Sequence, residues 1–267
     1  GAGGNGTDLP GGDTYGSVLQ PSDLGSGGGS IYNTPGGTGG GAIRLSVGGT
    51  LTVEGAIAAN GLPAPAGSYP AGPGSGGSLW ITCGSLAGTG VISAHGANSG
   101  NGAAGGGGGG RVAVYYANSN TFVGSLAAVG GNGWTIGGAG TVFVSPVEGR
   151  GTLLVGNGGQ VGETTEFSGL QTFDANLIVL PGGIVGPVPG ESGLHLSFTG
   201  DVTVQSNAYL SATGRGYGPD SGPGAGGGNG NWNWHAGGGG YGGAGGNGTD
   251  LPGGDTYGSV LQPSDLG

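Results

Sequence analysis

Few residues in this 267-residue chain can do chemistry: 14 acids, 4 arginines, 3 histidines, one cysteine and no lysine. The stretch Gly3-Gly4-Asn5-Gly6-Thr7-Asp8 matches the opening of the calcium nonapeptide G-G-x-G-x-D. Glycines there free the turn backbone, and the aspartate supplies a hard oxygen ligand. Asp8 and Asp13 are therefore the calcium candidates, and calcium is the one cofactor the pattern admits. The grammar then breaks, because Leu9-Pro10 places proline where a strand residue belongs, and GGDTYG carries its aspartate third. A solvated acidic turn is the simpler reading of both aspartates. Asn5-Gly6-Thr7 and its copy Asn247-Gly248-Thr249 form N-x-[ST] acceptors for asparagine glycosylation on a surface turn.

Glu163 and Glu166, in GETTEFSG, are the close carboxylate pair, the minimum that a polysaccharide-cleaving site would need. The arginines Arg44, Arg111, Arg150 and Arg215 are scattered, and Arg44 and Arg111 fall in polar slots expected to face solvent. Trp232 and Trp234, in NWNWH, could stack on sugar rings or cover a neighbouring apolar face within the chain or at a filament contact. His95, His195 and His235 show no metal-ligand spacing. Cys83 lies in an apolar segment and reads as a small buried hydrophobe. No catalytic residues are assigned, and the chain is not expected to be an enzyme.

The elements that must position these groups repeat. GAIRLSVGGTLTVEGAIAANG (41–61), GSLWITCGSLAGTGVISAHG (77–96), GRVAVYYANSNTFVGSLAAVGGNG (110–133) and GTVFVSPVEGRGTLLVGNGG (140–159) share one grammar, and 193–216 is a looser fifth member. A glycine precedes alternating apolar residues, a short turn follows, and a third apolar piece ends in a small residue and glycine. Period two with β-branched residues reads as strand, and no stretch sustains the 3.6-residue period of a helix. Three short strands per line of about 30 residues predict one coil of a parallel β-solenoid, with Ile43, Leu79, Val112 and Val142 stacked in a column. An antiparallel sandwich is the alternative. The glycine-rich stretches between lines, such as 60–77, 99–110 and 219–243, are either flexible loops or extended polyproline-II-type strands packed on the flank.

A larger repeat frames the smaller one. Residues 1–25, GAGGNGTDLPGGDTYGSVLQPSDLG, recur unchanged as residues 243–267. This predicts a window on a tandem array with a period of 242 residues, organised as a glycine-rich leading segment (1–40), β-solenoid coils with Gly/Pro-rich insertions (41–216), a Gly/Trp-rich segment (217–242) and the start of the next repeat (243–267). Glycine supplies 79 residues, but the every-third-residue rule of collagen fails. A net charge of −10 without lysine argues against electrostatic binding of nucleic acid or anionic membrane. No apolar run approaches the length of a membrane span.

The phrases YGSVLQPSDLGSGGGS, GGGAIRLSVGGTLTVEGAIAANG and GSLWITCGSLAGTGVISAHG resemble the glycine-rich tandem repeats of large bacterial surface and secreted, adhesin-like proteins. The resemblance covers roughly residues 16–135 and the closing SATGRGYG…GGGGYGG, and it carries no catalytic motif. It implies export to the cell surface, tandem repetition and β-solenoid-like repeats. This chain departs from the pattern in having an unchanged copy. The expectation is an all-β structural unit of an extracellular filament whose partners are identical units. A carbohydrate-binding adhesin using Trp232 and Trp234 is the alternative, ahead of a polysaccharide-active enzyme.

Overall fold

The structure, a computed structural model, describes residues 1–67, 69–100, 102–191, 193–228, 235–263 and 265–267. Among them there is no helix. Strands numbered in chain order as β1 to β15 form one large sheet and three small ones. The large sheet runs β1 (Ala42–Thr52), β3 (Ser78–Ala87), β5 (Arg111–Asn120), β7 (Thr141–Pro146), β8 (Gly151–Val155), β11 (Ala175–Val179) and β14 (Val202–Val204). The third apolar piece of the first three lines makes a parallel three-stranded sheet, β2 (Ala56–Ala58), β4 (Val91–Ser93) and β6 (Ser125–Ala127). A further three-stranded sheet joins β15 (Tyr209–Leu210), β12 (Ile184–Pro187) and β9 (Thr165–Phe167), and β10 (Leu170–Phe173) pairs with β13 (His195–Phe198).

The first four lines stack as the period-two pattern requires. Ile43 is level with Leu79, Leu79 with Val112 and Val112 with Val142, all in parallel register. Leu79, Ile81, Val112 and Val114 are buried and share a cluster with Ile92, Ala94 and Ala128, from and beside the small β2–β4–β6 sheet. Each fully buried side chain of this size contributes about 1.5–3 kcal/mol. The glycine pair Gly48-Gly49 does not end the first strand. It lies where the β1–β3 register shifts between Val47 and Thr50, so β1 continues as a bulged strand.

The expected β-solenoid is not the architecture. The sheet is mixed and open: β7 and β8 pair antiparallel, Val142 opposite Leu154 and Phe143 opposite Leu153. The line 140–159 is thus a hairpin and not one more coil, turned through Gly149 at φ +126°. Parallel stacking resumes beyond it, β8 with β11 and β11 with β14, from a reversed strand. No closed coil of three strands is present among the described residues. A solenoid requires every line to deliver its strand in one direction, and this tight reversal breaks that rule.

The glycine stretches supply what a third strand would have supplied. Their backbone hydrogen bonds advance in steps of three: Gly107 N–H to Ala97 O and Gly110 N–H to Ala94 O, Gly137 N–H to Gly131 O and Gly140 N–H to Ala128 O, Gly28 N–H to Gly37 O and Gly25 N–H to Gly40 O. A β-ladder alternates in twos, whereas a left-handed extended helix of polyproline-II type returns to the same neighbour every third residue. Successive residues therefore face different neighbours. In the run Gly105–Gly110, Gly106 donates to Thr135, Gly107 to Ala97 and Gly109 to Gly138, while Gly4, Gly131 and Gly76 donate to Gly106, Gly107 and Gly108. All six glycines are buried, and a Cβ on any of them would lie within 2.2 Å of a neighbouring backbone oxygen. Only glycine fits a bundle this close.

The chain forms two compact units. One comprises Gly1–Glu166, Thr172–Gly186 and Leu196–Ser211; the other comprises Phe167–Gln171, Pro187–His195 and Ala212–Gly267. The first copy of the 25-residue stretch belongs to the first unit and the second copy to the second.

Candidate self-association site

The duplicated stretch folds the same way twice. Gly3 N–H donates to Gly12 O (2.8 Å) and Gly6 N–H to Leu9 O (2.9 Å); in the copy, Gly245 donates to Gly254 and Gly248 to Leu251, each at 2.9 Å. The Asn5 side-chain oxygen accepts from Gly11 N–H at 2.8 Å, as Asn247 does from Gly253 at 2.8 Å. Ser17 Oγ accepts from Gln20 N–H as Ser259 does from Gln262, both at 3.0 Å. The Tyr15 hydroxyl donates to Leu24 O and the Tyr257 hydroxyl to Leu266 O, at 2.6 and 2.5 Å. The hairpin's shape is thus closed by its own groups.

What surrounds each copy differs. In the first unit, a row of polar side chains, Ser78, Arg111 and Thr141, stands in register across β3, β5 and β7. Ser78 Oγ donates to Asp23 O (2.6 Å), and Tyr115 Oη, from the same face, donates to Leu19 O (2.8 Å). Arg111 Nε donates to Tyr15 O (2.8 Å) and its Nη1 to Thr141 Oγ1 (3.2 Å). Arg111 was expected on a solvated face; it is buried, because the stretch 15–24 lies over it. Burial brings its guanidinium down to about 10, with the Asp23 carboxylate acting the other way, so it stays charged at neutral pH. Burial likewise pushes the Tyr115 phenol up.

The asparagine, aspartate and glutamate candidates fall at or near these hairpins. Asn5 Nδ2, the atom a glycan would modify, donates to Glu163 Oε1 (3.0 Å), which engages one member of the carboxylate pair. Glu166 N–H donates to Thr14 Oγ1 (3.4 Å), so both glutamates border the first hairpin. Asn247 is exposed. Asp8 accepts from its neighbour Thr7 (3.0 Å) at an exposed turn, and Asp13 is exposed on the extended arm. Among the described residues no three His, Cys, Asp or Glu side chains gather as a metal-holding group. In the second unit, His235 Nδ1 and N–H meet Asp250 Oδ2 at 2.6 and 2.9 Å. The Asp250 carboxyl is held below the usual carboxylate range chiefly by this imidazole.

Trp232 and Trp234 lie outside the described residues. His95 accepts Val129 N–H on Nδ1 (3.1 Å) and burial lowers its pKa; His195 begins β13. Cys83 is buried, and its thiol donates to Tyr115 O at 3.6 Å. Among the described residues no helix is long and apolar enough to cross a membrane. Sequence reasoning missed the Ser78–Arg111–Thr141 row; the only available signal was that these polar residues open three successive lines. No known protein family, curated protein or solved structure matches this chain.

Proposed function

We propose that this chain is a structural repeat unit of an extracellular fibre, joined end to end to identical units. The observation that carries the proposal is the 25-residue stretch that recurs unchanged and folds twice into one hairpin with matching hydrogen bonds. A segment that closes its own shape can be gripped wherever a complementary surface exists, as a connecting part must be. A unit that presents such a segment and also a surface to receive it meets its copies head to tail, the contact from which open filaments are built when the rotation between copies does not close a ring. The glycine bundle suits that role, since its strength resides in many backbone hydrogen bonds and not in a large apolar core.

The test is the native polypeptide itself. A gel under denaturing conditions should show a product much larger than 24.8 kDa, and negative-stain images should show filaments with a constant axial repeat. Compact, dispersed particles of single-unit mass would refute the proposal.

A further inference from the structure

Residues 1–25 and 243–267 bury opposite sides of the same hairpin. In the first copy the backbone groups bonded outside the segment are the nitrogens of Gly1, Ala2, Gly4, Thr7 and Gly25 and the carbonyls of Ala2, Asn5, Tyr15, Leu19 and Asp23. In the second copy they are the carbonyls of Gly243, Gly246, Pro252 and Gly267 and the N–H of Gly254 and Tyr257. Shifted by the repeat length, these are Gly1 O, Gly4 O, Pro10 O, Gly25 O, Gly12 N and Tyr15 N. Among the described residues no backbone atom occurs in both sets.

The packing divides the same way. A Cβ at Gly4 would lie 2.2 Å from Thr135 O, whereas one at Gly246 meets nothing within 4 Å. Conversely a Cβ at Gly254 would lie 1.9 Å from Gly224 O, whereas one at Gly12 meets nothing within 4 Å. Val18 is 8% exposed and Val260 96%. Leu9 and Leu24 stand 71% and 67% exposed, while Leu251 and Leu266 are half-buried. The two sides meet at Gly6, whose Cβ position is 3.3 Å from Ala103 O, against 2.2 Å from His235 O for Gly248, and at Gly16, whose Cβ position is 3.4 Å from the Arg111 side chain, against 2.8 Å from the Tyr241 ring for Gly258. On the first copy the uncovered side, with Leu9, Gly12 and Tyr15, borders a groove of about 380 Å³ within its unit.

We propose that one hairpin is gripped on both sides at once: inwardly by residues 103–166 of its own unit, and outwardly by residues 215–228 and 235–241 of a second copy of this chain. The hairpin is then the joint between consecutive units. This rests on the end-to-end reading above and names the surfaces that would meet. The occupant is identified by the second copy of the hairpin, which shows residues 224–228 and 235–241 seated on the side that the first copy leaves bare. The contact is heterologous, so each unit that receives a hairpin still offers its own to the next.

In the 267-residue chain, residues 243–267 cover the chain's own residues 224–228 and 235–241, at high effective concentration. The substitution Gly254→Val evicts them, because its side chain would collide with Gly224 O. The expected result by sedimentation is a mass rising with concentration to at least about twice the 24.8 kDa of one chain. Adding Gly12→Val, which has open space in its own unit, blocks the outward side and returns the mass to that of one chain. A second readout is covalent. A Cβ at Gly227 lies 3.2 Å from Leu251 Cβ, near the spacing of about 3.8 Å that a disulfide spans. Leu9→Cys with Gly227→Cys in the Gly254→Val background should therefore give a reducible ladder, suppressed by Gly12→Val. A chain that stays single and forms no ladder overturns the joint. Association that ignores Gly12→Val also overturns it, yet leaves end-to-end assembly standing through some other contact.

Discussion

The two copies of GAGGNGTDLPGGDTYGSVLQPSDLG share every letter and an internal hydrogen-bond pattern, and differ in what they touch. The first is seated on a sheet: Val18 is buried, a buried guanidinium holds Tyr15 O, and Gly4 N–H reaches the glycine run at Gly106. The second is seated on extended glycine chain, with the Tyr241 and Tyr257 rings edge to face at 5.0 Å and an imidazole on Asp250. Local sequence therefore sets the hairpin, and the surroundings choose which of its sides is buried. A side chain's importance here cannot be read from its identity, since the same residue is interior in one place and solvated in the other.

Matched substitutions sharpen that contrast. The largest difference is expected from Gly4→Ala against Gly246→Ala. The first forces a methyl to within 2.2 Å of Thr135 O and 2.8 Å of Gly106 N. Overpacking against rigid backbone, with loss of the Gly4–Gly106 bond, should cost about 3 kcal/mol. The second meets open space at a backbone φ outside the left-handed region, so it should stabilise by about 0.5 kcal/mol through the unfolded chain. Denaturant unfolding of each variant reads both, and equal losses would break the contrast. Next come Val18→Ala and Val260→Ala. Removing two buried methyls at Val18 should cost about 1.5 kcal/mol, while the exposed Val260 should change stability by less than about 0.5 kcal/mol.

The sequence carries the parallel stacking of β1, β3, β5 and β7 and the column Ile43–Leu79–Val112–Val142, because alternation sets which side chains share a face and the lines rhyme. It does not carry strand direction. GTVFVSPVEGRGTLLVG alternates equally well as one coil or as a hairpin, and only the turn at Gly149 decides. Nor does it carry the three-residue rhythm of the glycine bundle, which resides in N–H and C=O groups that every residue possesses. Composition left those stretches as loops or extended strands, and the backbone bonds make runs such as Gly105–Gly110 extended strands. Arg111 was misjudged because its cover comes from residues 96 positions away. At the hairpin, duplication was visible as letters, but the two seats were not, since the hairpin meets each chiefly through its own backbone N–H and C=O groups.

The smallest effect expected is a pH response confined to the second seat. The Asp250 carboxyl is held below the usual range first by its hydrogen bonds to His235 and then by Thr249. A depressed carboxyl in the folded state contributes stability that is fully present above the ordinary carboxylate value, about 4. The contribution is lost as pH falls through the lowered value. Acidification below about pH 4 should therefore release His235 N–H, which donates to Asp250 at 2.9 Å, and speed its exchange with solvent beyond the intrinsic change. In the first seat the corresponding Asp8 has no histidine beside it, and Thr7 N–H donates to the carbonyl of Ala103, which does not titrate. Its protection should hold across the same range. Asp250→Asn should flatten the response at His235 and leave Thr7 unchanged. An acid response shared by both seats would mean that the hairpin itself opens, and that its shape is not independent of where it docks.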